Sequence, residues 1–123
     1  MALLATATHD MDQTTEVLKG TLDLMILKAL SWGPMHGYGV VQWLKRTTDA
    51  ALQVEDGAMY PALHRLERKG WIAAEWGITE NSRRAKYYEL TREGRAQLKR
   101  EVASWTRFSD AVWKVVSATE QGA

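Results

Sequence analysis

The sequence predicts a mainly α protein with one small antiparallel β-hairpin and a long C-terminal helix. Three observations predict it. Apolar residues recur at helical spacing in three short stretches before Gly70. A period of two, rich in aromatic and aliphatic residues, takes over between Trp71 and Leu90. From Arg92 to Val116 the helical spacing returns without a break.

Composition sets the outer bounds. A chain of 123 residues is one domain's worth of core, and 46% apolar with 25% charged residues is ordinary for a soluble globular protein. The absence of cysteine excludes a disulfide scaffold, a thiolate metal site and a thiol nucleophile. Residues 1–16 are small and polar and read as a flexible tail, with no positive n-region of a signal peptide. No apolar run reaches membrane-spanning length, so a cytoplasmic protein is expected. The expected division is a winged domain over 17–91, a C-terminal helix over 92–118 and a short tail over 119–123.

The elements follow in order. A first helix is expected over Lys19–Trp32, with Leu22, Met25, Ile26, Ala29 and Leu30 inward, stopped by Gly33-Pro34. A second covers Gly37–Thr48, with Val40, Val41 and Leu44 inward and Lys45 and Arg46 at its negative end. The third lies in Val54–Gly70. Its inward stripe is Met59, Ala62, Leu63 and Leu66; Asp56 is its expected cap, and Gly70 its left-handed stop. Pro61 is expected in or near the first turn, because deeper it removes a backbone bond. Trp71–Trp76 and Lys86–Leu90 read as the two strands, joined by a polar loop over Gly77–Arg84. Thr91 caps the last helix. Helix, helix, helix, hairpin, helix is the plan of a winged helix-turn-helix.

Charge is distributed to match such a surface. The net charge is only +1, but residues 45–100 carry +4 while the two ends are slightly acidic. The outer face of the third helix is aromatic and basic, where a purely structural helix carries solvating charges. A major groove accepts one helix, read by side chains near its start. Gly57 and Ala58 leave room there, Pro61 lies on the same outer face among the expected DNA-binding residues, Tyr60 can donate to a phosphate, and His64 can reach a base or a phosphate. Arg83 and Arg84 at the hairpin tip, with Lys86 nearby, can enter a minor groove or bind its phosphates. The blander readings are a Tyr60 packed on Tyr38 or Trp43, a plain surface His64, a solvated turn at Arg83 and Arg84, and a solvated row of Arg65, Arg68 and Lys69 pairing with Glu67 or Glu75.

On the last helix, Leu98, Val102, Trp105, Ser109, Val112 and Val116 are spaced 4, 3, 4, 3, 4, a heptad seam that Phe108 and Trp113 widen. One small domain cannot cover such a seam, so a second copy is the simplest partner.

Three segments, HGYG (36–39), GAMYPALHRLERKGWI (57–72) and RRAKYYELTREGRAQL (83–98), resemble the PadR family of bacterial transcriptional regulators over roughly Leu18–Leu98. The resemblance implies a winged-helix DNA-binding domain, a C-terminal dimerisation element and, in some members, repression relieved by a small effector. It also favours Tyr38 as a DNA-backbone contact over a plain packing aromatic. The chain departs from the pattern in having Met59 where leucine is frequent, no glycine before the tip arginines and a single C-terminal helix, as in a short-form member. Some relatives stack a flat ligand on a seam aromatic, which makes Trp105 the candidate effector residue and a small aromatic the candidate effector; ordinary interface packing is the other reading.

Catalysis has little support in the sequence. His9, His36 and His64 are scattered without metal-ligand spacing, and no nucleophile elbow or phosphate loop is present. No metal or cofactor is expected. The expected function is a homodimeric repressor on a palindromic DNA operator. The alternatives are a winged-helix protein-interaction module without DNA binding, and a ligand sensor with a tryptophan-lined dimer pocket.

Overall fold

A computed structural model describes residues 20–119. The proposed N-terminal tail over 1–16 lies outside the described residues. The fold is α1 (residues 20–30), β1 (Met35–His36), α2 (Gly37–Thr47), α3 (Asp56–Arg68), β2 (Ile72–Ile78), β3 (Arg84–Leu90) and α4 (Arg92–Ser117). This is the expected winged helix-turn-helix followed by a long helix.

The core forms where the apolar stripes of α1, α2 and α3 meet one face of the sheet. Ile26, Leu27, Leu30, Val40, Leu44, Met59, Leu63, Leu66 and Ile72 are its largest fully buried side chains. Each contributes roughly 1.5–3 kcal/mol of burial free energy. The stripe of α3 is as expected, since Met59, Ala62, Leu63 and Leu66 are its buried residues. Among the described residues Asp23 of α1 is the buried charged one, and the guanidinium of Arg65 reaches it at 2.6 Å, tying α1 to α3. Arg65 is therefore not part of a solvated row. Glu67 meets Lys86, and Lys69 lies over the Trp71 ring at 4.7 Å.

Two details of α3 differ from the expectation. Glu55, not Asp56, is the N-cap residue, and it caps with backbone alone; Asp56 sits in the first turn, where its charge suits the helix dipole. Pro61 lies inside the helix, past the first turn. The carbonyl its ring crowds, four residues back, belongs to Gly57, which has no side chain to add to the crowding. Gly70 ends the element at φ +78, the left-handed stop its sequence position suggests.

The sheet has three strands, not two, in the order β1-β3-β2. The short β1 pairs Met35 with Tyr88 and His36 with Tyr87. The hairpin is also longer than its sequence suggests: Gly77 pairs with Ala85 and Ile78 with Arg84, so the loop shrinks to residues 79–83. Backbone bonding carries these strands outward, and polar side chains on an exposed hairpin do not oppose it.

One joint fixes α4 to this body. The Thr91 hydroxyl accepts from the Gly94 amide at 3.0 Å and donates to the Gly70 carbonyl at 2.6 Å. A β-carbon on Gly94 would lie 1.9 Å from the Trp71 carbonyl oxygen, so only glycine fits. Gly94 is the buried residue of a helix 26 residues long. Leu98 packs against the body's own core, so the exposed apolar surface of α4 starts beyond it, at Val102.

Candidate nucleic-acid interface

The HGYG segment builds the first wall of the site. His36 caps α2 through its ring, whose Nδ1 accepts the Gly39 amide at 2.9 Å. That bond leaves the proton of the neutral ring on Nε2. Gly37 is buried because the Tyr60 ring lies against it; a β-carbon there would sit 2.9 Å from Tyr60 Cε1. Tyr60 thus packs on the start of α2 and remains 41% exposed. Tyr38 points outward at 62% exposure, its ring stacked beside His36 at 6.3 Å.

α3 and the hairpin supply the other walls. One open groove of about 1100 Å³ is lined by Tyr38 and Gln42 of α2, Tyr60 and His64 of α3, and Trp76, Arg83, Arg84 and Lys86 of the wing. Six of the nine residues predicted to meet DNA share this concavity: Tyr38, Tyr60, His64, Arg83, Arg84 and Lys86. Gly57, Ala58 and Pro61 are exposed on the first half of α3 but do not line it.

The cations of the site are not equivalent. Lys86 is turned back towards α3, where its Nζ lies 3.4 Å from a Glu67 carboxylate oxygen, with both side chains about one-third exposed. At that exposure the pair is weak and leaves the lysine able to exchange partners. Arg83 and Arg84 are exposed, and neither joins an ion pair among the described residues. Tyr88 also lines the groove, and burial pushes its hydroxyl above its ordinary pKa, with Lys86 opposing the shift.

Trp76 was missed in the sequence, where it reads as ordinary strand filling. It is 57% exposed, and the Arg84 guanidinium lies 4.6 Å from its ring centre. The available signal was alternation: Ile72, Ala74, Trp76 and Ile78 share one face, and of these Ile72 and Ala74 join or pack on the core while Trp76 and Ile78 stay exposed.

The proposed dimer seam lies on α4. Val102, Trp105, Phe108, Val112, Trp113 and Val116 are all exposed, from 44% at Val102 to 67% at Trp113 and Val116, and Val115 joins them. Trp105 tilts against Phe108 at 6.1 Å, and both line a groove of about 560 Å³ shared with Gly20, Thr21 and Leu24 of α1. Among the described residues there is no cluster of metal-ligating side chains, and no helix is long and apolar enough to cross a membrane.

Comparison with known proteins agrees with this geometry. The model of the PadR-like transcriptional regulator family matches residues 26–100. The transcriptional regulator Rv3488 of Mycobacterium tuberculosis is 32% identical over 83 residues, covering 68% of this chain and 74% of that protein. A PadR family regulator from Eggerthella lenta superposes with a TM-score of 0.70 at 31% identity, covering 94% of this chain and 99% of its own. A transcriptional regulator from Clostridium thermocellum gives 0.75 at 29% identity, over 83% and 99%. These similarities are to regulators, not enzymes, in keeping with the lack of a catalytic constellation in the sequence. The chain belongs to the PadR-like family of transcriptional regulators.

Proposed function

We propose that this regulator binds duplex DNA through the groove between α2, α3 and the wing, and does so as a homodimer on a palindromic operator. The observation that carries the reading is the convergence of Tyr38, Tyr60, His64, Arg83 and Arg84 from three elements onto one open concavity, with both arginines outside any ion pair among the described residues. Tyrosine hydroxyls and arginines suit phosphate oxygens, and His64, on the exposed face of α3, is the residue placed to read a base edge. Gly57, Ala58 and Pro61 keep that face low where a groove wall approaches. Locked arginines would have favoured a protein-interaction module instead.

The dimer rests on α4. Its exposed apolar side chains form a surface that a second copy covers symmetrically, presenting two copies of α3 about 34 Å apart. Occupying an operator in this way represses by exclusion. The groove at Trp105 is within the size range of small-ligand pockets, and a flat aromatic effector stacked on that indole is the ligand it suits.

Selection of random duplex DNA by the purified protein tests the reading. The expected product is an inverted repeat with half-sites one helical turn apart. Failure of a folded, dimeric protein to enrich any duplex contradicts it. On the selected site, the double variant Arg83→Ala/Arg84→Ala should flatten the dependence of log affinity on log salt by roughly one unit per lost phosphate contact. An unchanged slope takes the wing off the DNA backbone.

A further inference from the structure

We propose that Trp76 is a positioning residue of the wing: its indole is a platform that holds the Arg84 guanidinium flat and aims it at an acceptor of the bound duplex. The inference rests on the DNA-binding reading above and adds to it a residue and a way of working.

Register places the two side chains together. Trp76 pairs directly with Lys86, and Ile78 with Arg84, so Trp76 and Arg84 are diagonal neighbours on the same face of the hairpin. Diagonal cross-strand neighbours are within reach of long and aromatic side chains. Of the two cations beside the ring, Lys86 is drawn away to Glu67, while the Arg84 guanidinium stands 4.6 Å above the indole. The choice suits their chemistry, because a guanidinium is planar and weakly hydrated and can lie flat on a ring, whereas an ammonium is a compact, strongly hydrated point charge.

Folding alone does not account for the indole. Trp76 lies outside the core cluster and its packed neighbours, and Ile78 beyond it is 67% exposed. An apolar ring left in water at the rim of a cationic groove, with an arginine laid on it, costs solubility and returns little stability. It does remove rotamer freedom from Arg84 before any ligand arrives. A long side chain ordered in advance spares part of the ordering cost of binding. Arg83, whose side chain joins no hydrogen bond, ion pair or ring contact among the described residues, lacks this restraint and serves as the internal control.

The test is a double-mutant cycle on the selected duplex, with Trp76→Ala, Arg84→Ala and their combination. Trp76→Ala is expected to weaken binding by about twofold to twelvefold, the range of the ordering cost of one long side chain. In the Arg84→Ala background the same change should cost almost nothing, and Trp76→Phe should recover part of the loss. In the free protein, proton NMR should show ring-current shifts on the Arg84 side chain that vanish in Trp76→Ala, while circular dichroism and melting temperature stay unchanged. Equal losses in both backgrounds, or an Arg84 without ring-current shifts, overturn the platform while DNA binding stands. Absence of duplex binding by the wild-type protein overturns both.

Discussion

α3 and α4 are both amphipathic, and they end in opposite conditions. α3 is 13 residues long and buries its whole apolar stripe against α1, α2 and the sheet. α4 is twice that length and buries one glycine, leaving a row of valines and aromatics in water. The first helix is completed by its own chain. The second, about 39 Å long at 1.5 Å per residue, reaches past the surface that the described residues offer it. Amphipathic spacing therefore means two different things here: in α3 it specifies the fold, and in α4, on the proposal above, it specifies an association.

The joint between the two regions is the most sensitive point of this contrast. Gly94→Ala forces a methyl group into the Trp71 carbonyl and should cost about 3 kcal/mol, read as a lower midpoint in urea unfolding. A neutral result would mean that α4 is hinged to the body and not clamped. Further along α4, Val102→Asp puts a charge into the proposed seam. We expect the dimer dissociation constant to rise at least about a hundredfold, equivalent to ~2.7 kcal/mol, while the melting of the body hardly changes. A body that melts with the dimer would erase the distinction drawn between the regions.

Within the body the expected effects are smaller. Asp23→Ala strands Arg65 of α3, and because that guanidinium is one-quarter exposed the loss should be about 2 kcal/mol, between the surface and buried limits for ion pairs. Thermal melting measures it, and no change would make the pair incidental. Smallest is a gain. Glu55 holds the N-cap position of α3 in extended geometry without a side-chain cap bond, so Glu55→Ser should raise stability by about 1 kcal/mol. A lower melting temperature would show that the glutamate acts in some way other than capping.

The sequence was legible where one period dominated. The stripe of α3, the Thr91 cap and the left-handed Gly70 depend on near neighbours, and local spacing reveals them. What it concealed depends on distant partners. The strand at Met35–His36 exists because β3 lies beside it, and two residues carry no period of their own. Asp23 and Arg65 are 42 positions apart, so nothing local marks them as a pair. The polar GITENSRR segment read as loop because side chains were weighed where backbone bonding decides. In the groove, tyrosine, histidine and arginine announced themselves by chemistry. Trp76 did not, since an aromatic in a strand is ordinary until the strand outruns the core.

Sedimentation with and without the selected duplex tests the central claim most directly. The account predicts that the 13.9 kDa chain sediments as a dimer alone, and that two chains bind each inverted repeat. Val102→Asp should sediment as a monomer and bind the repeat only weakly. A wild-type protein that remains monomeric, free and on DNA, would contradict the account, because the apolar face of α4 would then serve something other than a second copy.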